Sequence, residues 1–264
     1  MTAVPATQPC RDLSGAATLF MNENLIVLAI LGLFFAGIVK GATGIGYSSC
    51  ALPFLAAALD IKTAIVLLVA PAMASNAAVL FTTGSLAVAL KRFWPLYIAT
   101  LPGIFVGAAL LAVVDNRIPT QILGIIISAY SIQAWLKPSF TLQPGSARAL
   151  QVPVGLINGL LTGLTGSQVM PLMPYMMALR LEAGLFVQAV NIAVVIASAF
   201  LGLGLWATGA MSAPGLGLSI LAVAPALAGV QLASWARRHI PAERFRSIVL
   251  AVLMFIGVSL LVRA

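Results

Sequence analysis

Two short stretches decide how this chain is read: GIVKGATGIG, from Gly37 to Gly46, and GLLTGLTGSQ, from Gly159 to Gln168. Each lies inside an apolar run, 24–59 and 150–179, that is too long for one helix and is interrupted by glycines. Glycine costs a helix interior about 1 kcal/mol relative to alanine and permits a sharp reversal of the backbone. Gly37, Gly41, Thr43 and Gly44 match Gly159, Gly163, Thr165 and Gly166 at a constant offset of 122. The chain therefore reads as a duplication, each copy opening with a helix that breaks and turns back.

The rest of the sequence sets the solvent. Of 264 residues, 61% are hydrophobic and 8% are charged, and mean hydropathy is +1.10. A soluble domain carries about 25% charged residues, so so apolar a chain belongs in lipid. Crossing the hydrocarbon takes about 20 apolar residues in a helix, and the stretches 61–83, 93–114, 119–136, 183–207, 212–236 and 244–263 qualify. Landmarks recur in order in the two copies: Asn76 and Asn191, the helix-interior prolines Pro102 and Pro225, and the pairs Ile118-Pro119 and Ile240-Pro241. The expected organisation is a polar tail over 1–23, a first repeat over 24–136, a joint at 137–149 marked by Pro138, Pro144 and Gly145, and a second repeat over 150–264. The tail carries Arg11, Asp12 and Glu23 with no apolar core, unlike a signal peptide. Cys10 in that tail and Cys50 in an apolar segment do not suggest a disulfide framework.

Charge placement tests the hairpin reading. If each broken segment returns to its starting side, Lys91, Arg92, Lys137, Arg148, Arg180, Arg237, Arg238, Arg244 and Arg246 share one side. Arg11, Lys62, Arg117 and Arg263 fall on the other, and Lys40 lies within the first hairpin. Single crossings would divide the cations almost evenly, so only the hairpins obey the positive-inside rule. The expectation is an all-α polytopic membrane protein of two inverted repeats, each a broken, re-entrant helical hairpin plus three transmembrane helices, with both termini outside. The excess of Lys and Arg belongs to this pattern rather than to nucleic-acid binding.

The GxxxGxTG motif in both halves, together with the duplication and the length, resembles the sulfite exporter TauE/SafE family. The resemblance covers the membrane region from about Leu25 onward. It implies a permease of a bacterial inner membrane, not an enzyme, moving sulfite, a sulfonate or a related anion, with the lipid bilayer as its other partner and no cofactor. Family members often continue with glycines after Thr-Gly. Here the first copy continues Ile45-Gly46-Tyr47 and the second Ser167-Gln168-Val169, which adds side chains beside the turn.

Site candidates follow from the breaks. A helix that restarts in mid-membrane offers unpaired N–H groups and a dipole that attract an anion. Gly44, Gly46 and Gly166 would let an anion approach the backbone, while Thr43 and Thr165 could cap the new helices. Gly41 and Gly163 belong to the same motifs, although small residues also serve simply to pack membrane helices closely. Lys40 puts an ammonium at the first break, which costs about 2.5–3.5 kcal/mol at membrane depth and calls for a function, a partner or a route to water. Ser48, Ser49, Ser167 and Gln168 lie just past the turns, and Asn76, Gln188 and Asn191 are amides inside apolar helices that either face an anion or tie helices together.

Rival readings have weaker support. Met170, Met173, Met176 and Met177 could form a thioether path for a soft metal cation, or simply fill gaps. An intramembrane enzyme would need a catalytic pair. His239 falls in a basic loop, and Asp60, Asp115, Glu182 and Glu243 fall at helix ends.

Overall fold

The computed structural model describes residues 23–43, 47–80, 84–136, 141–236 and 242–263. Among these it has twelve helices and no strand. The helices are α1 (Glu23–Thr43), α2 (Tyr47–Ala58), α3 (Ile61–Leu80), α4 (Leu86–Val113), α5 (Arg117–Leu136), α6 (Pro144–Ala149), α7 (Gln151–Thr165), α8 (Leu172–Ala178), α9 (Ala183–Ala207), α10 (Ala213–Leu221), α11 (Val223–Ala236) and α12 (Ala242–Arg263).

The second glycine motif interrupts a helix at Gly166; the first falls between α1 and α2, with 44–46 outside the described residues. The first break separates α1 from α2, and the second separates α7 from α8. The return arms α2 and α8 have 12 and 7 residues. At about 1.5 Å per residue these reach about 18 and 10 Å, short of the roughly 30 Å hydrocarbon. The chain folds back at each break. Phe35, before the first break, meets Phe54, after it, edge to face at 5.5 Å. At the second, the hydroxyl of Tyr175 on α8 donates to the carbonyl of Ala147, just before α7, at 2.8 Å. The amide of Leu142 likewise donates to Ala178 O at 3.0 Å. The second hairpin thus ends beside its own start.

Among the described residues, four stretches are long and apolar enough to cross a membrane: Ile61–Leu80, Leu86–Val113, Ala183–Ala207 and Ala213–Ala233. Large apolar side chains cover much of the outside, among them Val262 at 81%, Val113 at 80% and Phe255 at 75% exposure. Water would penalise such a surface, whereas lipid solvates it. The expected span at 93–114 begins earlier, at Leu86, so Lys91 and Arg92 ride on the helix rather than on a preceding loop. The expected span at 212–236 is interrupted at Ala222. Pro225 consequently sits in the first turn of α11, where a missing N–H costs little, while Pro102 is truly interior to α4.

Two pairs of helices pack in parallel through glycines, and two further pairs run antiparallel. α1 runs parallel to α11, with Gly37 against Ala226 and Gly229, and Gly41 against Val230 and Ala233. α7 runs parallel to α4, with Gly159 against Thr100 and Ile104, and Gly163 against Ile104 and Gly107. At each of these four glycines a Cβ would press into the partner's backbone, so only hydrogen lets the helices approach this closely. α3 and α9 run antiparallel, since Gln188 meets Leu80 and Gly202 meets Val69. α5 and α12 pack through Gly124 and Gly257, with Leu261 against Gly124 and Ser128 against Gly257, again antiparallel.

Candidate functional site

Lys40 is the centre of the buried polar structure. It lies in the last turn of α1 and is 2% exposed. Unpaired carbonyls at a helix C-terminus favour a cation there. Its Nζ donates to Oδ1 of Asn76 on α3 and, at 3.2 Å, to Oδ1 of Asn191 on α9. Each asparagine is locked by its own helix. Asn76 Nδ2 donates to Ala72 O at 2.6 Å, and Asn191 Nδ2 donates to Val187 O at 2.7 Å. With their N–H groups tied back one turn, both amides must present oxygen to the ammonium. Both partners are neutral amides, so neither cancels the charge of the protonated ammonium.

Beside this cluster is a cavity of about 20 Å³ lined by Tyr47, Ser48, Ser49, Asn76, Gln168, Val169, Met173, Val190 and Val194. Its walls come from the first turn of α2, from α3, from the strap 166–171 with α8, and from α9. Tyr47 Oη, Ser48 Oγ and Gln168 Oε1 are buried with no hydrogen-bond partner among the described residues. Buried polar groups are nearly always paired, and each unpaired one costs about 1–3 kcal/mol. Three such atoms belong to residues that line this one cavity. Gln168 Nε2 donates to Ser198 Oγ at 3.1 Å, which holds the strap to α9.

The second break is closed by its own hydroxyls. Gly166 ends α7 with φ +73°, a left-handed conformation that suits glycine. Thr165 Oγ1 donates to Leu161 O at 2.7 Å and accepts from Ser167 N at 3.2 Å. Thr162, the counterpart of Lys40 by the 122 offset, donates to Ser167 O at 3.1 Å. Ser167 Oγ is buried and unpaired among the described residues. The Thr162 side chain closes a turn, whereas that of Lys40 reaches out to two helices.

The structure sorts the sequence candidates. Lys40, Asn76 and Asn191 form one cluster, and Ser48, Ser49 and Gln168 join Asn76 around the cavity. Gly41 and Gly163 face α11 and α4 instead. Gln188 is fully buried, and its Nε2 donates at 2.9 Å to Leu80 O, a carbonyl at the end of α3 that would otherwise lack an intrahelical donor. Gly44, Gly46 and the side chain of Thr43 lie outside the described residues, as do 1–22, His239 and the side chains of Arg244 and Arg246. Of the methionines, Met173 lines the cavity, Met176 is packed in the core and Met177 is exposed. Cys50 is free and buried.

Of the polar residues that line or support the cavity, Tyr47 and Ser198 were not among the sequence candidates, and neither were the apolar lining residues Val169, Val190 and Val194. Tyr47, 1% exposed, opens α2 directly after the first break, and its position was the available signal. Ser198, which anchors Gln168, lies on α9, two turns beyond Asn191.

Broken helices, a lipid-facing exterior and a buried cation beside a polar cavity define a multi-pass membrane protein built around a polar interior. The chain belongs to the sulfite exporter TauE/SafE family, whose profile it matches over residues 29–260. Membership makes it a membrane transporter of the sulfur-anion class. No curated protein and no solved structure matches the chain.

Proposed function

We propose that the protein moves a small sulfur oxyanion, sulfite or an organosulfonate, across a bacterial inner membrane by alternating access around its two helix breaks. The observation that carries this reading is Lys40, a buried cation held by two neutral amides of α3 and α9 beside unpaired hydroxyls. An oxyanion is a stronger acceptor for Nζ than an amide oxygen, because opposite charges add a Coulomb attraction that a neutral amide lacks. Tyr47 and Ser48 supply O–H donors. Turning the Gln168 amide over lets Ser198 donate to its oxygen and points its NH₂ into the cavity. The first turn of α2 forms one wall, so its dipole also favours negative charge.

A cavity of about 20 Å³ holds one or two waters and no larger guest. This arrangement is read as the shut state, with the re-entrant arms α2 and α8 parting to admit substrate. Thr43, Gly44 and Gly46 at the first turn, and Thr165, Gly166 and Ser167 at the second, serve as the joints of those arms.

The reading includes two inverted repeats, 24–136 and 150–264, joined by 137–149. Parallel pairs α1–α11 and α7–α4 exchange under the repeat, and counterparts α3–α9 and α5–α12 are antiparallel, which supports opposite orientations of the halves. The side with nine basic residues is taken as cytoplasmic.

The test is a thermal-shift series on purified protein with sulfite, sulfate, thiosulfate, sulfonates and carboxylates. Saturation at 100 times Kd stabilises a protein by about 2.7 kcal/mol. A sulfur oxyanion should raise the unfolding midpoint of the wild type and leave that of Lys40→Met unmoved, with transport in vesicles lost in parallel. An equal shift in Lys40→Met would remove the ammonium from the site.

A further inference from the structure

A second, larger cavity opens at the start of α4, on the end of the molecule where the second hairpin begins and ends. Its volume is about 400 Å³. Lys91 and Arg92 from α4 and Arg148 from α6 converge on it, and no Asp or Glu is among its lining residues. The walls are fixed: Gln151 Nε2 donates to Arg92 O at 3.2 Å, and Tyr175 Oη donates to Ala147 O at 2.8 Å. Among the described lining residues, the three positive charges therefore face no carboxylate.

We infer that this pocket binds the phosphate headgroup of an anionic membrane lipid. Three cations around one concavity suit a phosphate diester. The surroundings favour a lipid over a soluble anion. From the pocket an apolar stripe runs down α4 through Leu90, Trp94 and Ile98, exposed by 41%, 55% and 57% and spaced four residues apart. Four-residue spacing keeps the three on one helix face, so an acyl chain can follow this track while its phosphate stays in the pocket. Trp94 lines the pocket one turn beyond Leu90, where an indole bridges headgroup and hydrocarbon. The pocket is separate from the Lys40 cavity; the two share no lining residue. Its occupant bridges α4 and α6, and through the Tyr175 bond it also braces α8, the short arm of the second hairpin.

The test is native mass spectrometry of the full chain in mixed micelles with phosphatidylglycerol or phosphatidylcholine. The wild type should retain phosphatidylglycerol about tenfold more tightly. Lys91→Gln with Arg148→Gln should erase that preference, while Lys62→Gln with Arg117→Gln, cations outside this pocket, should keep it. Arg148→Gln alone, an exposed change on a short helix, should weaken it partway, which guards against misfolding of the double variant. Equal retention of both lipids by the wild type, or a preference that survives in Lys91→Gln with Arg148→Gln, overturns the inference. Displacement of bound phosphatidylglycerol by an equal concentration of inorganic phosphate overturns the lipid as the source and assigns the pocket to a soluble phosphate.

Discussion

Asn76 and Asn191 present their side-chain oxygens to the same ammonium from two antiparallel helices, each with its amide nitrogen tied to the carbonyl four residues earlier. The pair therefore acts as a neutral clamp. It offsets the cost of burying Lys40 without cancelling the charge, which distinguishes it from a buried salt bridge.

The first prediction converts that clamp into a salt bridge. Asn76→Asp or Asn191→Asp is nearly isosteric but sets a carboxylate beside Nζ. A carboxylate competes with a substrate anion for Lys40 and repels it. Substrate affinity should fall by about ten- to a hundredfold, 1.4–2.8 kcal/mol, and the melting temperature should fall as well, because the amide N–H that donated to Ala72 O or Val187 O is lost. Isothermal titration of each variant reads the change; unaltered affinity in both would show that substrate never meets Lys40.

The hydroxyls of Tyr47 and Ser48 have no partner among the described residues. Removing an unpaired buried polar atom relieves its desolvation cost. Tyr47→Phe and Ser48→Ala should accordingly melt at or above the wild-type temperature while binding the anion about five- to tenfold more weakly, the loss of one hydrogen bond of about 1–1.5 kcal/mol. A drop in melting temperature with unchanged binding would reverse the assignment.

Glycines at the helix contacts answer to packing. Gly37→Ala and Gly159→Ala each place a Cβ against the backbone of the neighbouring helix. Each should lower the yield of folded protein, by overpacking worth about 1–3 kcal/mol, while the molecules that do fold transport normally. Gly145→Ala and Gly217→Ala, where a Cβ meets nothing within 4 Å, serve as controls. Gly166 is a poor probe of the anion site, because φ +73° and a Cβ only 2.9 Å from Ile65 Cγ1 penalise any side chain there.

Reporter fusions address orientation. Fusions after Lys137 and after Arg238 should both report the cytoplasm, and one after Arg263 the outside. Opposite locations for the first two would dismantle the proposed inverted repeat.

Much of the fold was legible because hydropathy and glycine content are local properties. The helix ends at Ala58 and at Gly166 fell within a residue or so of expectation, whereas α1, α3, α5 and α11 run up to residues outside the described ones. The start of α4 at Leu86 was missed because Lys91 and Arg92 lower the hydropathy of a stretch that is nonetheless helical at one end of the molecule. The split at Ala222 left no hydropathy signal, since both sides of it are apolar.

The sequence by itself determined the solvent, the class of protein, the two helix reversals and the distinctiveness of Lys40. Each depends on composition or on neighbours a few residues apart. Only the tertiary structure decided what Lys40 touches, because its partners lie 36 and 151 residues away. It also decided that Gly41 and Gly163 face helices while Ser48 and Gln168 face a cavity. Glycine and serine are equally small and tolerable in either place, so their roles are fixed by which helix packs against them, and that depends on contacts between the ends of the chain.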